Sequence, residues 1–137
     1  DQKRYDANVE ATAMQAVRAY EEALGAIVHD VSTAERALAA GLEVWPGFDL
    51  RSHRPSGDIL AIEVKGRGGI GDVELTENEY IRACNLRHHY WLYVVYDCAK
   101  AAPRLLRIQD PFGKLIVRQK GSVIVGEGQI FAAAESE

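Results

Sequence analysis

Residues 47–71, GFDLRSHRPSGDILAIEVKGRGGIG, decide how this chain folds. Two short apolar-rich runs flank Arg54-Pro55-Ser56-Gly57-Asp58, a cluster of turn-forming residues. Such a pattern reads as a β-hairpin with a loop of about five residues. Centring the turn on Ser56 sets the register: Asp49 faces Glu63, Leu50 faces Ile62, Arg51 faces Ala61 and His53 faces Ile59. Opposite residues on antiparallel strands hold their Cβ atoms about 4.5–5.5 Å apart, and like charges there destabilise. Side chains two apart share a face, so Lys65 points the same way as Glu63. Leu60, Ile62 and Val64 occupy the other face and read as core.

Two carboxylates that close call for a divalent cation, a shared proton or neutralising neighbours. A hard cation such as Mg2+ binds through one or two carboxylates and otherwise keeps waters or takes phosphate oxygens. The lysine can hold a phosphate or stabilise charge that develops during a displacement. Asp, followed by Glu-x-Lys on the next strand, is the pattern of the PD-(D/E)xK nucleases. The same residues also suit a surface hairpin on which Asp49, Arg51, Glu63 and Lys65 form an ion-pair lattice, since surface pairs need no function. One expectation separates the two: for a nuclease, the Asp49 and Glu63 carboxylates converge on one open face beside Lys65, close enough to share a cation.

At 137 residues, residues 1–137 are expected to form a single domain with a real core. No apolar run approaches the roughly 20 residues of a membrane span. The polar, charged N-terminus has no signal-peptide pattern. The chain begins with Asp1 and its only methionine is Met14, so a fragment of a longer protein or a processed product is expected. Cys84 and Cys98 have neither metal-ligand spacing nor a disulfide framework, which fits a reducing cytoplasm. The net charge of −4 excludes a generally basic nucleic-acid binder, yet the charge is uneven. Residues 1–47 carry eight acidic and four basic side chains, whereas Lys100, Arg104, Arg107, Lys114, Arg118 and Lys120 face Asp110 alone within residues 100–120. That basic sector could bind a polyanion locally or simply be a solvated face.

Around the hairpin, residues 7–25 predict one amphipathic helix with Val9, Ala13, Val17, Tyr20 and Leu24 in its stripe and Gly25 as its stop. Glu21 lies at the edge of that stripe, where it could look toward a site. Residues 27–31 predict a short strand, and Ser32-Thr33-Ala34-Glu35 a capping box opening a helix to about Ala40. Gly66-Arg67-Gly68-Gly69-Ile70-Gly71 matches a dinucleotide fingerprint only literally: the strand before it ends in Glu-Val-Lys, and the next helix cap is Thr76. We read a flexible loop beside the site, with Arg67 available for a phosphate. Thr76-Glu77-Asn78-Glu79 predicts a second capping box and a helix to about Leu86, burying Tyr80, Ile81 and Cys84. Residues 90–96 predict a central buried strand and 103–109 another strand; 110–113 predict a turn, 115–132 one or two further strands, and 132–137 a frayed tail.

Taken in order, Ala16–Glu22, Asp30-Val31-Ser32, Gly47–Ser52, Ile62–Arg67, Leu75–Glu79, Tyr90–Tyr96 and Leu106–Pro111 resemble one family, the NO VEIN C-terminal domain. That family is placed in the PD-(D/E)xK, restriction-endonuclease-like superfamily. The resemblance covers roughly residues 9–112. It implies an α/β fold with a mixed central sheet flanked by helices, and a domain acting on DNA. Members are often appended to superfamily 2 or Swi/Snf-type helicases, some of them in anti-phage defence, so helicase domains of a parent chain are implied partners. The superfamily pattern further implies that Asp49 and Glu63 hold Mg2+ or Mn2+ with the Val64 carbonyl, that Lys65 orients the attacking water, and that Arg51 and Arg67 contact phosphates. One departure stands out: Met14 occupies the place where many such nucleases carry a glutamate in the first helix, with Glu10 and Glu21 one and two turns away. The alternative is a non-cleaving nucleic-acid-binding or regulatory module of the same helicase.

Overall fold

A computed structural model describes residues 6–42, 46–115, 117–120 and 122–135. Helix α1 (Ala7–Ala23) is followed by β1 (Ile27–Asp30), α2 (Ala34–Ala39), and the hairpin strands β2 (Leu50–His53) and β3 (Ile59–Gly66). Then come β4 (Val73–Leu75), α3 (Glu77–Leu86), β5 (Tyr90–Tyr96), β6 (Arg104–Gln109), α4 (Pro111–Lys114), β7 (Val117–Lys120), β8 (Ser122–Val125) and α5 (Glu127–Ala133). One sheet has the order β1-β2-β3-β5-β6 and the other β4-β8-β7. In the first, β3 pairs parallel with β5 while the remaining pairs are antiparallel. This is the mixed sheet flanked by helices that the sequence implies. Among the described residues no helix is long and apolar enough to cross a membrane.

The hairpin takes the expected register, with Leu50 opposite Ile62, Arg51 opposite Ala61 and His53 opposite Ile59. Leu60, Ile62 and Val64 pack with Ala13 and Val17 of α1 against Tyr93 and Val95 of β5. On the other face of the sheet, Leu92, Val94 and Tyr96 of β5 pack with Val123, Val125 and Ile130 from β8 and α5. Thus β5 is covered on both sides, and β3 is buried along its middle, from Leu60 to Val64.

Several expectations change. The stripe of α1 ends in Glu21, fully buried, while Leu24 is 46% exposed, because Leu24 is already the cap of the helix. The cap of α2 is Thr33, whose hydroxyl accepts the Arg36 N–H at 3.1 Å; Ser32 instead donates its hydroxyl to Asp30 Oδ1 at 2.6 Å. Helix α3 buries Glu79 and Ala83 and leaves Ile81 54% exposed, since its capping box turns Glu79 inward. The glycine loop is tied to the turn after β5: Asp97 N–H donates to Gly69 O at 3.0 Å, Cys98 N–H to Arg67 O at 3.0 Å, and Ala99 N–H to Gly68 O at 3.2 Å. Residues 110–113 open α4, because Asp110 caps it by accepting the Gly113 N–H. The stretch 115–132 contains two strands and then α5. Its tail is docked as far as Glu135, with 136–137 outside the described residues: Glu135 N–H donates to Arg107 O at 2.7 Å and Lys114 pairs with Glu135 at 2.8 Å. Of the basic sector, Lys100 pairs with Asp97, Arg104 lies over Phe131, and Arg107 stacks on Tyr20, Trp91 and Tyr93. The side chains of Arg118 and Lys120 lie outside the described residues.

Candidate active site

Asp49 lies one residue before β2 and is fixed across the edge of β3. Its N–H donates to the Ile62 carbonyl at 2.9 Å, and its carboxylate Oδ2 accepts the Val64 N–H at 2.9 Å. The carboxylate thereby replaces a strand hydrogen bond and comes to rest beside Glu63. In an extended strand a residue's N–H and C=O project to the same edge, so the Val64 carbonyl is presented to Asp49 as well. Lys65, two residues beyond Glu63 on the same face, holds Nζ 3.4 Å from Glu63 Oε2 and 2.9 Å from Glu79 Oε1. Asp49, Glu63 and Lys65 therefore meet where the hairpin reading places them. Glu63 differs in one respect: it is only 2% exposed, the floor of the site and no part of an open surface.

That burial governs its charge. Removal from water pushes the Glu63 carboxyl well above the usual range, the neighbouring Asp49 pushes it further, and Lys65 only partly offsets this. Burial also raises Asp49, against the opposing hydrogen bond from Val64. Burial alone would lower Lys65, but Glu63 and Glu79 outweigh it and raise the ammonium pKa, keeping it charged. Glu63 Oε1 is buried with no hydrogen-bond partner, and such an orphaned carboxylate oxygen is costly unless something binds it. Among the described residues, no three His, Cys, Asp or Glu side chains are grouped to hold a metal by themselves. Two carboxylates with a backbone carbonyl remain, a donor set that fits Mg2+ or Mn2+ completed by waters and phosphate oxygens.

These groups line a cavity of about 440 Å³ together with Glu10, Arg67 and Glu79. A neighbouring cavity of about 770 Å³ shares Glu10 and Asp49 with it and extends along α1 to Arg18 and Arg36. A third, of about 470 Å³, shares Lys65 and Arg67 and reaches Glu74 and Ile124 on the second sheet. The site thus shares wall residues with a cavity on either side.

The remaining predicted residues fall elsewhere or are otherwise engaged. Arg51 is on the Asp49 side of β2, but it donates from Nη2 to the Ala40 carbonyl at 3.1 Å and lines none of the three cavities. Arg67 borders the site with its guanidinium on the Asp72 carbonyl at 2.9 Å. Glu21 lies across the sheet, bound by Ser52, Arg54 and Tyr93. Two residues gain importance. Glu79 is legible in the sequence as a cap only, and Glu10 as a helical acid one turn from Met14; the fold brings both to the cavity wall.

The sequence model of the family described as Protein NO VEIN, C-terminal, matches residues 9–108. No curated protein matches the chain. Among solved structures, the Holliday junction resolvase Hjc from the archaeal hyperthermophile Archaeoglobus fulgidus is similar in fold, with a TM-score of 0.61 at 18% identity over 91% of this chain and 94% of that one.

Proposed function

We propose that this chain, which belongs to the Protein NO VEIN, C-terminal family, is a metal-dependent nuclease domain that hydrolyses phosphodiester bonds in DNA. The observation that carries the reading is the buried, unpartnered Glu63 Oε1 beside Asp49. A structure with the fold of a resolvase adds weight without fixing the substrate. Asp49, Glu63 and the Val64 carbonyl would hold Mg2+ or Mn2+. Such a cation polarises a phosphoryl oxygen and lowers the pKa of a bound water. Lys65 brings a fixed positive charge to the phosphate and orients the attacking water. Arg67, which lines the site cavity and the one beyond it, extends that charge once it exchanges the Asp72 carbonyl for a phosphate. In this reading Arg51 secures the end of α2 and Glu21 secures the core. The family resemblance is the support for helicase domains as neighbours in a longer cytoplasmic protein of DNA processing or anti-phage defence.

The test is nicking of supercoiled plasmid by the domain with Mg2+ or Mn2+, beside Glu63→Ala and Lys65→Ala. Cutting that requires metal and vanishes in both variants supports the proposal. A second reading, a non-cleaving DNA-binding module, is favoured by Met14 in mid-helix and the lack of a three-acid cluster among the described residues. It expects binding that weakens with salt, ignores metal and leaves the plasmid intact.

A further inference from the structure

We infer that Glu79 is the positioning residue for Lys65; the inference rests on the nuclease reading above. Glu79 stands at the third position of α3, where a capping-box glutamate ordinarily reaches back to one backbone N–H at the helix start. It does so here, Oε1 accepting the Thr76 N–H at 2.9 Å while its own N–H donates to Thr76 Oγ1 at 3.2 Å. The same Oε1 also accepts Lys65 Nζ at 2.9 Å. Among the described residues this is the hydrogen bond that Lys65 Nζ makes; Glu63 Oε2, at 3.4 Å, contributes an ion pair. Glu79 is buried, in the wall of the cavity that Asp49 and Glu63 floor.

The consequence follows from who is left when the site is loaded. A cation taken up by Glu63 competes for the negative charge that otherwise draws Lys65 towards it. Glu79 does not share that fate, because its oxygen is tied to the start of α3. It therefore keeps the ammonium at one place on a flexible four-carbon stem, and a rigid helix end sets that place. Thr76, which touches neither Lys65 nor the carboxylate pair in any described hydrogen bond, separates capping from positioning.

The experiment compares wild type, Glu79→Ala, Glu79→Gln and Thr76→Ala in two readouts. In metal-dependent plasmid cleavage, Glu79→Ala should lose about 100-fold in kcat with KM for DNA little changed, the scale of a misplaced catalytic group. Glu79→Gln retains an oxygen that accepts both hydrogen bonds and should restore most of the rate; Thr76→Ala should leave it near wild type. In proton–nitrogen NMR of the lysine ammonium, the Lys65 signal should be held in wild type, Glu79→Gln and Thr76→Ala and lost in Glu79→Ala. An Ala variant that matches wild type in both readouts, or a Thr76→Ala loss equal to that of Glu79→Ala, overturns the inference. If wild type cuts no DNA while the ammonium signal follows the stated pattern, the nuclease reading fails and the placement of Lys65 by Glu79 stands.

Discussion

Arg54 grips Glu21 at two points, with Nε 2.7 Å from Oε1 and Nη2 2.8 Å from Oε2. The pair pins the turn of the central hairpin to the last turns of α1, and Ser52 Oγ joins it at 2.7 Å from Oε1. Tyr93 donates its hydroxyl to the other oxygen, from the far side of β3. Every oxygen of this buried carboxylate has a partner, so the charge is retained inside the fold. Truncating it to Ala strands Arg54, Ser52 and Tyr93 together. We expect Glu21→Ala to lower unfolding free energy by about 3 kcal/mol, the low end for breaking a buried pair because Arg54 is partly solvated. Urea unfolding checks this; a loss below about 1 kcal/mol would show that the network is dispensable.

The same carboxylate predicts part of the acid sensitivity. Burial pushes its pKa up, but the hydrogen bonds from Arg54, Tyr93 and Ser52 outweigh that, and the folded value lies below the ordinary 4.5. A carboxylate depressed on folding contributes stability that is full above its unfolded pKa and is lost as pH falls through its folded pKa. Stability should therefore decline below about pH 4.5 more steeply in wild type than in Glu21→Gln. Denaturation midpoints collected from about pH 3 to pH 6 measure the difference. Parallel acid limbs for the two proteins would assign the decline to other carboxylates.

Glu63 has the opposite sign. Its folded pKa is well above 4.5, first through burial and then through Asp49, so its contribution falls as pH rises from the unfolded value through the folded one. The metal-free fold therefore bears a cost at neutral and alkaline pH that Glu63→Gln removes. We expect that variant to be more stable than wild type by about 1 kcal/mol or more near pH 8, with the gap closing toward pH 4. Mg2+ or Mn2+ at a hundredfold excess over Kd should stabilise wild type by about 2.7 kcal/mol, and neither Glu63→Gln nor Asp49→Asn should respond. Thermal melts with and without metal give both numbers. Equal stabilisation of all three proteins would place the cation elsewhere.

What the sequence made legible was local. The hairpin register follows from one turn cluster and two alternating strands, and the capping box of α3 from four consecutive residues. The partners that define the site's behaviour are distant along the chain: Glu79 reaches Lys65 across 14 residues, and Tyr93 reaches Glu21 across 72. No periodicity records such pairs. The glycine loop looks flexible by composition because its restraints are backbone bonds to the turn after β5. Helix α5 has no local side-chain cap, its first N–H going instead to Asp72 Oδ1 at 2.9 Å, and β4 is three residues long, so both lack a local start signal. The inward turn of Glu21 is the same lesson in reverse. A charged residue at the edge of an apolar stripe is ordinarily solvated, and its burial here rests on Arg54, Ser52 and Tyr93, all distant along the chain.

Gly66, which directly follows Lys65, meets α1 with no room for a side chain. A Cβ built there would lie 2.7 Å from the Ala13 Cβ and 3.3 Å from both Val9 Cγ1 and the Val9 carbonyl oxygen. Neither a methyl nor a helix backbone can give way cheaply, so Gly66→Ala must push α1 off β3. Overpacking of this kind costs about 1–3 kcal/mol. Because Glu10 and Ala13 line the same cavity as Lys65, the displacement should also widen the site and reduce cleavage. Ala13→Gly frees the space at a helix-propensity cost of about 1 kcal/mol. In combination the two substitutions should be less damaging than their sum, with a coupling of about 1 kcal/mol, and activity should partly return. A double-mutant cycle by urea unfolding, with plasmid nicking on the same four proteins, tests both halves. Strict additivity would mean that α1 is seated by its other contacts and that the glycine is there for the loop alone.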